Sequence, residues 1–481
     1  MKKILLLSAA LLCAILSQAK ITLPSLVGDG MVLQQKSLVT LWGSTTGSYV
    51  KVTPSWDSTS YKTKPDPEGN WQVQFSTPEA GGPYSILIVD DKDGTFLQDI
   101  LIGEVWICSG QSNMEMPLGG WDHQRVEGAL ETIRDARYTP LLRTFTVERN
   151  NADTPQEDCR GQWKTSTPEA LRSFSATAWH FGKTLSAFMP EVPVGLIATD
   201  WGGTPIEAWL SVGALEATEG IDLPRAKKNH WFEVTTGQLF NGMIYPLRHY
   251  AARGFIWYQG EANLWNSADY AAITCSMVSE WRALWGKADM PYYLVQIAPY
   301  SYDNPSGRRL PLLVEQQYRI PGLLPYSGVA ATTDVGHRDC IHPPYKKEVG
   351  ERLAYLALAR DYGFEGLPVT PTYRDMTVEG STLRLRFDGV SQAVNCFRLF
   401  GPQKRLEIKG FEIAGEDRVW HEAEAQIDWN SNDILVSSPD VPRPVAARYA
   451  FRNWPEGANV VTDAGLPLPM FRTDNWPIDE N

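Results

Sequence analysis

The sequence predicts an α/β protein, with a parallel sheet covered by helices on both faces and a β-rich region on either side of that core. Three observations carry this expectation. Apolar strand patterns alternate with helical patterns between about residues 101 and 365. The flanking stretches read instead as short strands divided by Gly, Pro, Asp and Ser clusters. The chain has 481 residues, enough for several domains of roughly 100–200 residues each.

Within the middle region the expected strands are Val105–Cys108, Val194–Thr199, Gly254–Tyr258, Tyr293–Ile297 and Val329–Thr332. They are near-continuous apolar runs, as strands buried on both faces must be. Between them, Ala170–Ser186, Ala268–Leu284 and Lys346–Ala359 carry helical patterns. The last places Tyr345, Val349, Leu353 and Leu356 at three- and four-residue spacing, and Gly363 follows where a left-handed cap would close it. Residues 20–100 supply short runs such as Val39–Trp42, Trp71–Phe75 and Tyr84–Val89, which suggest a small sandwich. Residues 366–481 contain the alternating Leu383–Phe387 and the runs Ile434–Val436 and Arg448–Phe451.

Residues 1–19 form a separate unit. Lys2 and Lys3 precede an apolar stretch, Ile4 to Leu16, too short to span a bilayer comfortably, and Ser17-Gln18-Ala19 offers small residues for cleavage. This is the pattern of a secretory signal peptide and places the mature protein in the periplasm or outside the cell. A lipoprotein attached through Cys13 is disfavoured by the bulky Leu12 before it.

With 44 basic and 56 acidic side chains the formal charge is −12. An acidic chain with no Lys/Arg block is a poor nucleic-acid or anionic-membrane ligand, so neither partner is expected, and no other segment reads as a membrane span. Of six cysteines, one lies in the leader; the remaining odd number argues against a disulfide framework. No CxxC or HExxH spacing occurs, so a structural zinc site is not expected.

In open α/β sheets, ligands bind beyond the carboxyl ends of the strands. Four strand ends deliver polar clusters there: Ser109-Gly110-Gln111-Ser112-Asn113, Asp200-Trp201-Gly202-Gly203-Thr204, Gln259-Gly260-Glu261-Ala262-Asn263, and Asp334 through His342-Pro343. Together they contain a serine, a glycine pair, a carboxamide and carboxylate–histidine pairs, which are the parts of a serine hydrolase. Each alone is commonplace; their equivalent topological positions carry the reading.

Gly110-Gln111-Ser112-Asn113-Met114 resembles the first sequence block of the SGNH/GDSL hydrolase superfamily, in the form found in sialate O-acetylesterases and related carbohydrate acetylesterases. Trp201 to Trp209 resembles the second block, Trp257-Tyr258-Gln259-Gly260-Glu261 the third, and Asp339-Cys340-Ile341-His342-Pro343 the last. Met31-Val32-Leu33-Gln34-Gln35 and Asn241 to Leu247 are also similar to family segments. The resemblance implies an SGNH-hydrolase-like three-layer α/β/α core spanning 101–365. An N-terminal β-sandwich (20–100) and a C-terminal β-rich domain (366–481) would flank it. It further implies a secreted, cofactor-free serine esterase that removes O-acetyl groups from a sugar or glycan, most simply sialic acid.

By the same resemblance Ser112 is the nucleophile, His342 the base and Asp339 the residue that orients it. The oxyanion hole is formed by the Ser112 N–H, the Gly203 N–H, with Gly202 as the alternative, and the Gln259 side chain. Asn113, Trp201, Glu261, His337 and Arg338 are candidates for the substrate rim; Arg308 and Arg309 lie in further rim loops. A competing frame, Asp334 to His337, is set aside because Pro343 and the helix from Lys346 anchor the second frame. A disulfide between Cys108 and Cys340 stays open. Acetylxylan or another plant glycan is an alternative substrate, a non-catalytic carbohydrate-binding protein an alternative class, and a peptidase a weaker one. Oligomeric state is not legible.

Overall fold

The computed structural model describes residues 21–57, 59–230, 234–390, 397–399 and 407–478; the expected signal segment, with Cys13, lies outside them. The core is a parallel sheet of β1 (Gly94–Gly110), β2 (Leu142–Thr146), β3 (Val194–Asp200), β4 (Gly254–Tyr258), β5 (Tyr292–Val295) and β6 (Ser327–Ala330), ordered β6-β5-β4-β1-β3-β2. The strand Trp163–Thr165 pairs antiparallel with β2 at the edge. The chain starts at central β1, goes out to β2, returns to place β3 between the two, then crosses to β4 on the other side of β1. The reversal of order beside β1 is the switch point at which such sheets open a crevice.

Helices cover both faces. On one side α1 (Ala176–Phe188) packs against α4 (Lys346–Asp361), burying Trp179, Phe181, Val349 and Leu353 over Trp106, Leu196 and Tyr293. On the other, α2 (Tyr270–Leu284) and α3 (Arg309–Leu323) bury Met277, Trp281, Leu313 and Val314 over Ile107, Phe255 and Leu294. The expected stripe on α4 is buried at Val349, Leu353 and Leu356, while Tyr345 is exposed. Gly363 takes φ +70° after the helix, and the Phe364 N–H returns to the Leu358 carbonyl at 3.0 Å.

Strand β2 and helix α3 lie outside the expected elements, and three further features depart from them. The boundary placed at 100/101 falls inside β1, a 17-residue strand. Its first half pairs antiparallel with Gly81–Val89 in the N-terminal region, and its second half is the centre of the core sheet. The helical pattern over 170–186 is broken at Ser173–Ser175, where a short helix Pro168–Arg172 ends and Ser175 caps α1 through the Ala178 N–H. The segment before α2 is a 3₁₀ stretch, Glu261–Asp269.

The flanking regions are joined to the core by specific polar contacts. Gln34 and Gln35 donate to the Glu104 carboxylate at 3.1 and 2.7 Å, and Arg253 meets the same carboxylate at 2.8 and 3.1 Å. The C-terminal sheets dock through Arg472, which pairs with Glu315 of α3 at 2.6 and 3.1 Å. Asn453 reinforces this, accepting from the Leu310 N–H and donating to the Asn304 carbonyl.

Candidate active site

Ser112 is presented by a forced turn. Gly110 ends β1 at φ +145°, and a Cβ there would lie 2.2 Å from the Tyr258 carbonyl oxygen of neighbouring β4. Only glycine fits, because it lacks the side chain that would collide. Gln111 then donates its N–H to that carbonyl at 3.0 Å, and the short helix Ser112–Glu115 begins, tied by Met114 and Glu115 N–H bonds to Gln111 O. The nucleophile candidate thus stands on the first turn beyond a buried strand.

Its partner arrives from the far end of the chain. His342 Nε2 lies 2.8 Å from Ser112 Oγ, within proton-transfer range. The His342 loop is braced by Arg352 of α4, which binds both oxygens of Asp334 at 2.7 Å and the Ala331 carbonyl at 2.8 Å. Trp121 meets the imidazole edge-on, with ring centroids 4.9 Å apart. Burial, with a smaller contribution from Lys346, pulls the His342 pKa down to about 4. The ring is therefore neutral near pH 7 and able to accept a proton.

The Nδ1 side departs from expectation. Asp339 is exposed, and among the described residues its carboxylate has no hydrogen-bond partner, while its backbone N–H donates to His337 Nδ1 at 3.1 Å. His342 Nδ1 instead meets Gln124 Oε1 at 2.7 Å. The segment Pro343-Pro344 steers the chain straight into α4, and Asp339, three residues before the histidine, is left on the outer side of the loop.

Around Ser112 the two glycine candidates separate. The Gly202 N–H donates to Glu115 Oε2 at 2.7 Å and so is occupied. Gly203, at φ +78°, and Ser112 have N–H groups with no protein acceptor among the described residues. Gly202 presses so close that an added Cβ would come within 3.1 Å of Ser112 Cβ. Gln259 is turned away from such a role. It is fully buried; its amide donates to Thr204 O at 3.2 Å and Asn263 Oδ1 at 2.7 Å, and its oxygen accepts from Tyr270. Both of its N–H groups are spent on holding two loops together, and neither is left for a ligand.

Two rim candidates are likewise internal. Asn113 is buried, donating to Glu261 Oε1 at 2.5 Å and Ile341 O at 3.0 Å while accepting from Lys346 Nζ at 2.5 Å. Glu261 is buried behind it, where burial raises its pKa. Trp201 and His337 are half-buried and Arg338 is exposed, so these three remain at the surface. Cys108 and Cys340 are free thiols, and the Cys340 thiol donates to the His342 carbonyl.

Sequence reasoning missed Gln124, Trp121, Glu115, Arg149 and Lys346. Glu115 lies one turn after Ser112 and could have been found by spacing. It binds the Gly202 N–H with one oxygen and the Arg149 guanidinium with the other, and Arg149 lies over the Trp201 ring at 5.2 Å. Half of the Arg149 side chain remains exposed, and its Nη1 has no protein acceptor among the described residues. No group of three or more His, Cys, Asp or Glu placed to hold a metal occurs among the described residues, and no helix among them is long and apolar enough to cross a membrane.

Residues 102–359 match the family described as carbohydrate esterase, sialic acid-specific acetylesterase. The chain is 30% identical to the human sialate O-acetylesterase over 510 residues, covering 94% of this chain and 93% of the human protein. It is 27% identical to the rat sialate O-acetylesterase, covering 93% of each. Among solved structures it resembles a carbohydrate acetylesterase from Xanthomonas citri, with a TM-score of 0.84, 32% identity, and coverage of 95% of this chain and 100% of that one.

Proposed function

Because the chain belongs to the sialic acid-specific acetylesterase family of carbohydrate esterases and thus removes O-acetyl groups from carbohydrate, we propose that its substrate is an O-acetylated sialic acid, that Ser112 and His342 perform the chemistry, and that it works outside the cytoplasm. The observation that carries the chemical part is the 2.8 Å contact between Ser112 Oγ and His342 Nε2.

In the first half-reaction His342 Nε2 takes the Ser112 hydroxyl proton as Oγ attacks the acetyl carbonyl carbon. The carbonyl π pair moves to oxygen, and the resulting oxyanion is held by the Ser112 and Gly203 N–H groups. Collapse breaks the bond to the sugar oxygen, which leaves with the proton from His342. Water then repeats the sequence on the acetyl-enzyme, with His342 again as base, and releases acetate. Two backbone donors form this hole; Gln259 acts behind it, keeping the Thr204 loop and Asn263 fixed.

The acidic sugar is supported by Arg149. A sialic acid carries a carboxylate, and a guanidinium anchored by Glu115 beside the Ser112 turn supplies a matching charge-assisted donor. Trp201 beneath it provides an apolar face for a sugar ring. The location outside the cytoplasm is supported by the leader pattern of residues 1–19.

The test is a substrate panel read by free acetate. O-acetylated sialic acid should be turned over in preference to acetyl-xylo-oligosaccharides. Arg149→Ala should raise KM for the sialic acid about tenfold or more, as expected for loss of a charged hydrogen bond, and leave the neutral sugar unaffected. A preference for the xylo-oligosaccharide overturns the sialate reading. Ser112→Ala should reduce turnover by about 10³-fold or more; a variant that still releases acetate removes Ser112 from the mechanism.

A further inference from the structure

We propose that Gln124, and not Asp339, is the positioning residue that sets the orientation and tautomer of His342. The proposal rests on the Ser112–His342 reading above.

Gln124 lies in a tight loop whose geometry is over-determined. Gly120 turns the chain at φ +72°, with its N–H on the Pro117 carbonyl. Trp121 and Gln124 then exchange both backbone hydrogen bonds, each at 2.9 Å. This one loop delivers the indole that abuts the imidazole edge and the carboxamide that meets its Nδ1. Residues 218 apart in sequence are thereby joined at 2.7 Å. The loop is itself tied to the histidine's segment by the Glu127 N–H on the Pro344 carbonyl at 2.9 Å.

The chemistry follows from what a carboxamide can do. Gln124 Oε1 accepts only from an Nδ1–H, which leaves Nε2 bare and able to take the Ser112 proton. A carboxylate in that place would also stabilise the imidazolium formed during reaction; a neutral amide orients the ring without adding that charge. The base is therefore weaker as an acid–base pair and remains neutral to lower pH. The charged and titratable groups around the ring are consistent with this. Asp122, His123 and Arg125 on the Gln124 loop are exposed, and so is Asp339. Glu115 on the nucleophile's helix is engaged by Arg149 and the Gly202 N–H. Glu261 stands behind Asn113. Cys340 and His337 lie on the histidine's own loop, where the Cys340 thiol donates to the His342 carbonyl and His337 Nδ1 accepts the Asp339 N–H. Lys346, at the start of α4, is the charge that acts on the ring, and it opposes protonation.

The experiment compares Gln124→Ala, Gln124→Glu and Asp339→Asn in the full chain, with p-nitrophenyl acetate, measuring kcat, KM and the acid limb of kcat/KM, and checking the fold by circular dichroism. Gln124→Ala should lower kcat about ten- to a hundredfold with KM little changed; this is smaller than removal of the base, worth about 10²–10⁴. Gln124→Glu can only accept, so activity should return, with the acid limb displaced upward by roughly one pH unit or more through the added negative charge. Asp339→Asn should stay within about twofold of the parent. If Asp339→Asn loses tenfold or more, or the acid limb fails to move in Gln124→Glu, the proposal is overturned. Should Gln124→Ala not fold, the other two variants still decide. Failure of the underlying reading would show separately, as a Ser112→Ala variant that keeps its activity.

Discussion

Glu104 and Ser112 bracket the half of β1 that lies in the core sheet, Glu104 where its pairing with β3 begins and Ser112 just past its end at Gly110, and each end of that half holds a buried polar cluster. At the lower end the Glu104 carboxylate accepts from Gln34, Gln35, Arg253 and Tyr362, so the charge is paired and its oxygens are fully used. At the upper end, behind Ser112, Asn113 links Glu261 to Lys346, but Glu261 Oε2 and the hydroxyls of Tyr258 and Tyr302 have no partner among the described residues. The consequences appear in the titration. Burial opposes ionisation of Glu104, yet Arg253 and the two glutamines outweigh it and hold the carboxyl below its ordinary range. In the upper cluster burial prevails: it raises Glu261 and pulls Lys346 down to about 7, with Glu261 only partly offsetting the fall. A satisfied cluster locks the fold; the under-satisfied one lies behind the proposed nucleophile, where perturbed groups tend to collect.

The largest expected effect tests the lower end. Glu104→Ala leaves the Arg253 guanidinium facing a buried gap and should cost about 3 kcal/mol, the lower end of the range for breaking a buried pair, since Arg253 is 30% exposed. Urea unfolding measures this, and kcat of the folded fraction should be unchanged. Ser112→Ala, at the other end, should do the reverse and leave unfolding unaltered. The pH dependence has a definite sign. A folded pKa below the unfolded value means that the Glu104 contribution is complete above the unfolded pKa, about 4.3, and is lost as pH falls through the folded one. Glu104→Gln should flatten that acid loss. If Glu104→Ala is as stable as the parent, the satisfied cluster does not lock the fold.

A second effect tests the upper end. With Lys346 titrating near 7 when folded and about 10.4 when unfolded, the unfolded chain binds more protons between those values. Stability contributed through this group should therefore rise as pH increases across that window. Lys346→Met should abolish the rise, read as urea unfolding free energy at pH 6, 8 and 9.5. An unchanged slope would mean that the amine is solvated like any surface lysine, and the contrast between the two ends would fail.

The parts of this arrangement that were legible in the sequence share a physical cause. Strands β3 and β4 are buried on both faces, so they read as apolar runs, and the polar residues that follow them had to fall at one sheet edge. Strand β2 was not legible. Its Arg143 is buried through a pair with Asp99 at 3.1 Å, and the polar letters of Leu142–Thr146 hide the strand. Helix α3 was obscured by Pro311 and Pro321, which lie inside it. No break marks the expected boundary at 100/101 in the structure, because β1 runs through it from the N-terminal region into the core sheet. In the site, Ser112 and His342 could be named by motif. The direction of a side chain could not: Gln259 has the expected identity but faces the Thr204 carbonyl and Asn263. Gln124 and Arg149 belong to no motif, and their roles come from loops that meet only in three dimensions.

The smallest expected effect concerns the competing histidine. Asp334 and His337 repeat the spacing of Asp339 and His342, yet the structure engages their polar groups elsewhere. Both Asp334 oxygens are held by Arg352, and His337 Nδ1 accepts the Asp339 N–H, which fixes the turn before His342. His337→Ala removes one local hydrogen bond from a half-buried loop, and turnover of p-nitrophenyl acetate should stay within about threefold, in keeping with the ~1 kcal/mol net worth of such a bond. A loss of a hundredfold or more would mean that the first frame, and not the second, carries the base. That would also detach the Gln124 loop from the chemistry, since the carboxamide touches His342 and not His337.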